Sequence, residues 1–156
     1  MPADWHERTN LKYDNMATIE TIHLGDLRSE AKHMQSGTTL MTDAPTDNHG
    51  KGEYFSPTDL VATALGSCVL TLMEMAATPR GIDIRGAKVT IDKIMASEPR
   101  RIAEIKIDIY FPSDYSDKDK AILKRAAETC PVGKSLHPDL KQTLTFHYPA
   151  ACKTGK

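Results

Sequence analysis

An apolar and almost uncharged segment constrains the fold of this chain more than any other feature. Residues 57–78 carry helical signals at both ends: Ser56 can cap the N-terminus, Pro57 suits the first helical position, and Gly81 can end the helix. A helix that is apolar on nearly every side is buried on most of them. Because the chain has only 156 residues, we expect a second copy to supply part of the covering. The apolar positions are Leu60, Val61, Ala64, Leu65, Val69, Leu70, Leu72 and Met73.

The segments on either side of this helix predict a mixed α+β domain over residues 16–150. Alternating side chains are clearest at residues 101–111, where isoleucines face one side and charged residues the other, as in an antiparallel strand with one wet face. Residues 1–15 lack periodicity and are interpreted as a flexible N-terminal extension, and residues 151–156 as a polar C-terminal tail. Strands are expected at residues 18–23, 27–34, 38–41, 86–95, 101–111 and 143–147, and a second helix is expected to begin after Ser116 and to end at Cys130.

Composition and charge exclude several classes of partner. The chain is 40% hydrophobic and 26% charged, which is typical of a folded globular domain. With a formal net charge of -1 and no basic stripe, neither nucleic acid nor an anionic membrane is expected as a partner.

Residues 1–15 have no apolar core of an export signal, and the apolar run at 60–73 is too short to span a bilayer. We therefore expect a cytoplasmic protein whose thiols are kept reduced.

Cysteines are the residues most able to carry chemistry. Cys68 lies in the middle of the apolar helix, where it is either an inert packing residue or a thiol that needs a cation from elsewhere to activate it. Cys130 stands at a helix end before Pro131, and Cys152 lies in the polar tail and is read as incidental. The sequence has no C-x-x-C, no histidine pair at metal-ligand spacing and no G-x-S-x-G turn, so we expect neither a metal site nor a serine hydrolase.

Three segments together resemble the OsmC/Ohr family, named for osmotically inducible protein C and organic hydroperoxide resistance protein. They are GDLRSEAKHMQSG, TDAPTDNHGKGEYFSPTDLVATALGSC and CPVGKSLHPD. The resemblance implies an OsmC-like α+β fold, in which antiparallel sheets wrap a long buried central helix and two chains form an intertwined homodimer. It also implies a peroxidase that reduces organic hydroperoxides through two cysteines, in defence against oxidative stress.

The resemblance assigns a role to three residues. Cys68 falls on the cysteine that attacks the peroxide, and Cys130 on the cysteine that resolves the sulfenic acid to a disulfide. Arg28 lies eight residues before the turn at Ser36 and Gly37, where the family has its supporting arginine. No bound cofactor is implied, and the reductant is expected to be an external dithiol or lipoyl-type group.

One position departs from the family pattern. Organic hydroperoxide resistance proteins have a glutamate ten residues before the reactive cysteine, and this chain has Thr58 there. Either Arg28 is held less firmly than in the family, or Glu53 or Asp59 replaces the missing carboxylate. The departure also keeps a second function open: a non-catalytic or redox-sensing module that binds a small apolar ligand.

Overall fold

The computed structural model describes residues 17–149. The extension predicted at residues 1–15 and the tail predicted at residues 151–156, with Cys152, lie outside this range. The described chain forms two compact units, one up to Pro57 and the other from Thr58 onward. Each unit contains one three-stranded sheet.

The first unit is an antiparallel meander of three strands. It consists of β1 (Ile19–Gly25), β2 (Arg28–His33) and β3 (Thr39–Asp43), in that order across the sheet. Asp26 and Leu27 join β1 to β2 with positive φ angles of 49° and 60°, the backbone geometry that matches a two-residue hairpin to the twist of its strands. Because β2 and β3 pair with Arg28 opposite Asp43, the first residue of one strand faces the last of the other.

The second unit contains the long helix and the other sheet. Its elements are α1 (Pro57–Ala77), a 3₁₀ turn (Thr78–Arg80), β4 (Lys88–Ser97), β5 (Arg100–Tyr110), α2 (Asp117–Glu128), α3 (Pro131–Ser135) and β6 (Lys141–His147). The strands lie in the order β4-β5-β6. The predicted hairpin between β4 and β5 is present, but β6 pairs with β5 in parallel, which differs from the expected antiparallel sheets. A parallel neighbour requires a long crossover, and α2 and α3 provide it.

The core lies between one face of α1 and the sheet of the second unit. Leu65, Val69 and Met73 follow one another at helical spacing on the buried face of α1. The inward side chains of β5 are fully buried, as its alternation predicted: Ile105, Ile107 and Ile109. Gly66 lets the helix approach the sheet, because a Cβ there would lie 2.5 Å from Cδ1 of Ile91.

The opposite face of α1 is open in the single chain. Thr63, Ala64, Ser67 and Thr71 are exposed, and Met75 is 65% exposed, so α1 is half-buried rather than buried on most sides. The helical stretch Pro57–Arg80 is long and apolar enough to cross a membrane by length and composition, whereas the run at 60–73 within it is too short to do so. Core helices of soluble proteins pass the same test, and the buried face of α1 contributes to the core.

The segment around Cys130 differs from the prediction in one respect. The second helix was expected to end at Cys130, but α2 ends at Glu128 and a separate short helix, α3, begins directly after Cys130. The physical reason is Pro131, which has no N–H to donate to the preceding turn but fits the first turn of a new helix. Cys130 is therefore the N-cap residue of α3.

Candidate active site

Cys68 is a free, half-buried thiol on α1. Its position is fixed by the residues around it, since Leu65 and Val69 are buried in the core and Gly66 packs closely against β4. One neighbour on the helix, Ser67, is exposed, so the thiol lies at the border between the buried and open faces of α1. A cysteine at such a border can be reached without unfolding the helix.

Cys130 is the more enclosed of the two thiols, at 2% exposure. It is part of the hydrophobic core, and Cys68 packs against the same cluster. Backbone hydrogen bonds fix it from both sides: its N–H donates to the carbonyl of Ala127 at 3.4 Å, and its carbonyl accepts from the N–H of Lys134 at 3.0 Å. The thiol is thereby held at the junction of α2 and α3.

Cys68 and Cys130 belong to the same packed cluster, and Cys68 is close enough to affect the pKa of Cys130. Burial raises the pKa of the Cys130 thiol above its ordinary value, and the neighbouring Cys68 side chain raises this pKa further. The backbone N–H groups of Gly133 and Val132 act in the opposite direction, because they favour the thiolate. Burial is the largest of these effects, so the Cys130 pKa is raised and the thiol stays protonated at neutral pH. The structure therefore brings together two of the three predicted site residues.

Arg28, the third predicted site residue, is the centre of an ionic network within the first unit. Its Nη2 donates to Oδ2 of Asp43 at 2.7 Å, its Nε donates to Oδ1 at 3.3 Å, and Nη2 also donates to the Glu53 carboxylate. The guanidinium lies 4.7 Å from the ring centroid of Tyr54. A planar cation held by a fork of bonds and an aromatic face has little freedom to turn.

Asp43 is the buried partner in this network, at 1% exposure. Hydrogen bonding from Arg28 holds the pKa of Asp43 below its ordinary value, and the Glu53 N–H, which donates to Oδ2 at 3.1 Å, acts in the same direction. The same carboxylates raise the pKa of Arg28. A buried carboxylate requires such partners, since an unpaired charge in the interior is costly.

Of the two alternatives left open by the sequence, the structure has the one in which another carboxylate binds Arg28. Glu53, which was one of the two alternative carboxylates, binds the guanidinium, and Asp43 adds a bidentate partner that sequence reasoning missed. The register of the β2–β3 hairpin could have identified Asp43, because pairing about the turn at Ser36 and Gly37 places it opposite Arg28.

Asp59, the other alternative, has a different partner. Lys93 of β4 donates to Oδ1 of Asp59 and to Oγ1 of Thr58, both at 2.7 Å. The position where the family has glutamate therefore holds a hydroxyl bound to a lysine, in the first turn of α1. Lys93 therefore forms an ion pair with Asp59, the acidic residue in the first turn of α1.

The family model for OsmC-like proteins matches residues 50–145, which is more than half of the chain and includes both described cysteines. The chain belongs to the OsmC-like protein family. A crystal structure from Psychrobacter arcticus 273-4, of a protein named for osmotic stress induction and a detoxification response, is 47% identical to it. That match covers 88% of this chain and 100% of the other, with a TM-score of 0.82.

More distant OsmC-like structures share the fold. An organic hydroperoxide resistance protein from Legionella pneumophila is 15% identical, with a TM-score of 0.66 over 85% of this chain and 98% of its own. One from Elizabethkingia anophelis is 17% identical, with a TM-score of 0.62 over 88% of this chain and 100% of its own. No curated protein matches this chain. The predicted family and the OsmC-like α+β fold are confirmed, and the homodimer stays a prediction.

Two cavities lie in the second unit of this OsmC-like protein, and one of them is lined by Cys130. A groove of about 460 Å³ lies between α2, α3 and β6 and is lined by Cys130, Lys124, Lys134 and Gln142. A larger one, of about 660 Å³, extends along the open face of α1 from Ser67 to the loop before β4. Within residues 17–149, no group of three or more His, Cys, Asp or Glu side chains could hold a metal ion.

The contact between the thiols predicts a change in the Cys130 pKa. In a Cys152→Ser background, Cys68→Ala should lower the Cys130 pKa, because it removes the neighbour that disfavours the thiolate. Burial remains, so the pKa should stay above that of an exposed cysteine. Thiolate absorbance measured against pH reports the value. An unchanged Cys130 pKa would mean that the two thiols do not interact in solution.

Proposed function

We propose that this OsmC-like protein is a thiol peroxidase that reduces organic hydroperoxides, with Cys68 as the attacking and Cys130 as the resolving cysteine. Its family membership supports a peroxide-related redox role, as do the names of its structural neighbours from Legionella pneumophila and Elizabethkingia anophelis. The assignment of the two cysteine roles depends on one observation: Cys68 and Cys130 are neighbours in one cluster and differ in solvent exposure. We expect the reaction to take place in the cytoplasm.

The unequal exposure supports the order of the two roles. The first nucleophile must meet a dissolved hydroperoxide as a thiolate, and Cys68 is the more accessible thiol. Cys130 is buried and its pKa is raised, so it is a poor first nucleophile. It is well placed to react afterwards with an oxidised sulfur at Cys68, because that partner is already beside it.

The proposed cycle has three balanced steps. The Cys68 thiolate attacks the outer oxygen of the hydroperoxide, the O–O bond breaks, and the alkoxide leaves and takes a proton as an alcohol. The resulting sulfenic acid condenses with the Cys130 thiol, which forms the disulfide and releases water. An external dithiol then exchanges with the disulfide, so that both cysteines return to thiols and the dithiol becomes a disulfide.

Arg28 enters the proposal as the cation that supports the first step. Lowering the pKa of a thiol gives only a small gain in rate, because nucleophilicity falls as the pKa falls. A fixed donor for the departing alkoxide has a larger effect, typically a factor of about 100 to 1,000. The network of Arg28 with Asp43 and Glu53 supports this role, since a guanidinium that is already held needs no reorganisation during the reaction.

The cysteine assignment predicts three distinct phenotypes. With cumene hydroperoxide, Cys68→Ser should abolish turnover, Cys130→Ser should allow one turnover and leave a sulfenic acid that dimedone traps, and Cys152→Ser should change little.

The wild type should lose two thiols per chain after one equivalent, and should react more slowly with hydrogen peroxide, which gains nothing from apolar burial. If neither hydroperoxide consumes thiols quickly, the ligand-binding or redox-sensing alternative is favoured.

The network around Arg28 predicts the cost of removing the cation. Arg28→Ala should lower kcat/KM for cumene hydroperoxide by about 100-fold or more, and Glu53→Gln, which keeps the Asp43 fork, should lower it much less. Thr58→Glu should not raise activity, because Arg28 already has two carboxylate partners. Stopped-flow kinetics of Cys68 oxidation measure each variant. An Arg28→Ala protein as fast as the wild type would remove Arg28 from the mechanism.

The open face of α1 supports the proposed homodimer. Small and apolar side chains on this face, among them Ala64 and Met75, are exposed in the single chain and gain by burial against a second copy. We expect a dimer at low micromolar concentration in sedimentation experiments, and Met75→Glu should weaken it. A monomer that still turns over hydroperoxide would separate the chemistry from the assembly.

A further inference from the structure

Gln142 contacts the segment that carries Cys130, although the proposed cycle gives it no role. It lies on β6 two residues before Leu144, on the same face of the strand, and Leu144 packs against the core. Gln142 is itself exposed to solvent, so its side chain makes this contact at the protein surface. Nε2 of Gln142 donates to the carbonyl of Gly133 at 2.8 Å, in the first turn of α3.

Gly133 is packed tightly at this contact. A Cβ at residue 133 would lie 2.5 Å from Oε1 of Gln142 and 3.3 Å from Cδ1 of Leu65, both closer than ordinary van der Waals contact. The first turn of α3 therefore sits between the Gln142 side chain and α1. Leu65 is on the same helix as Cys68, three residues before it.

α3 depends on contacts of this kind because it is short. It has five residues, and an isolated helix below about 12 residues is marginal in water. Pro131 contributes no N–H to its first turn, and the structure gives Cys130 no side-chain capping bond there. Two local hydrogen bonds close the turn, from the Lys134 N–H to the Cys130 carbonyl and from the Ser135 hydroxyl to the Pro131 carbonyl. Gln142 adds a tertiary hydrogen bond directly to its backbone.

From this geometry we infer that Gln142 is a positioning residue for Cys130. By holding the carbonyl of Gly133, it keeps the first turn of α3 against β6 and the Cys130 thiol beside Cys68. Its hydrogen bond goes to the backbone of α3. For the peroxide cycle, this inference rests on the proposed function. In that cycle, Gln142 favours disulfide closure and does not affect the attack of Cys68 on the hydroperoxide.

The test separates the two chemical steps in a Cys152→Ser background. After one equivalent of cumene hydroperoxide, Gln142→Leu should oxidise Cys68 at the wild-type rate but form the Cys68–Cys130 disulfide about fivefold more slowly, the value of one ordinary hydrogen bond. More dimedone adduct should then be trapped on Cys68. Gln35→Leu is the matched control, because Gln35 is the only other glutamine and is exposed in the β2–β3 loop, and it should leave both steps unchanged.

Further variants separate the hydrogen bond from packing. Gln142→Glu keeps the shape but cannot donate, so it should behave like Gln142→Leu, whereas Gln142→Lys retains an N–H donor of similar reach and should recover most of the closure rate. Gly133→Ala tests the same contact from the other side, and should also slow closure selectively. A general loss of folding would instead slow both steps by the same factor.

A second measurement does not use peroxide. Equilibration with glutathione redox buffers gives the effective concentration of the two thiols for each other, which Gln142→Leu should lower by about the same fivefold factor. If hydroperoxide fails to oxidise Cys68 while this value still falls, the proposed function is wrong and the positioning role stands. If Gln142→Leu changes neither this value nor the closure rate, or slows both chemical steps equally, the inference is overturned.

Discussion

The packing of α1 against its sheet is the constraint on which the second unit depends. Leu65, Val69 and Met73 are buried against the inward isoleucines of β5, and Gly66 allows the helix to come close to Ile91. Cys68 is placed by this packing, because it lies between two of the buried helix residues. A shift of the helix by one residue would move the thiol by about 100° around the helix axis and away from Cys130.

The two cysteine side chains are chemically identical but differ in solvent exposure because of this packing. Cys68 borders the open face of α1, whereas Cys130 is enclosed at the start of α3, where burial raises its pKa. The difference in environment is what would allow two identical side chains to act in sequence. Gln142 and Gly133 belong to the same arrangement, because they hold the short helix that carries the second thiol.

The first unit contains the ion pairs of Arg28 with Asp43 and Glu53. Arg28 and Asp43 are brought together by strand register, and Glu53 and Tyr54 complete the surroundings of the guanidinium from the loop before α1. An arginine with two carboxylates and an aromatic neighbour has little freedom to turn, and here both carboxylates come from positions other than residue 58. Thr58 itself is neutral, and Lys93 binds both its hydroxyl and the carboxylate of Asp59.

The sequence by itself determined the family, the long helix and the alternating strand β5, because each depends on local periodicity or on a contiguous motif. Tertiary structure decided the rest. The parallel pairing of β6 depends on a crossover, and the choice of Asp43 and Glu53 as partners of Arg28 depends on hairpin register and on the path of the loop. The open face of α1 has the same origin: an apolar helix shows that burial is required, but only the fold shows which face the chain itself covers.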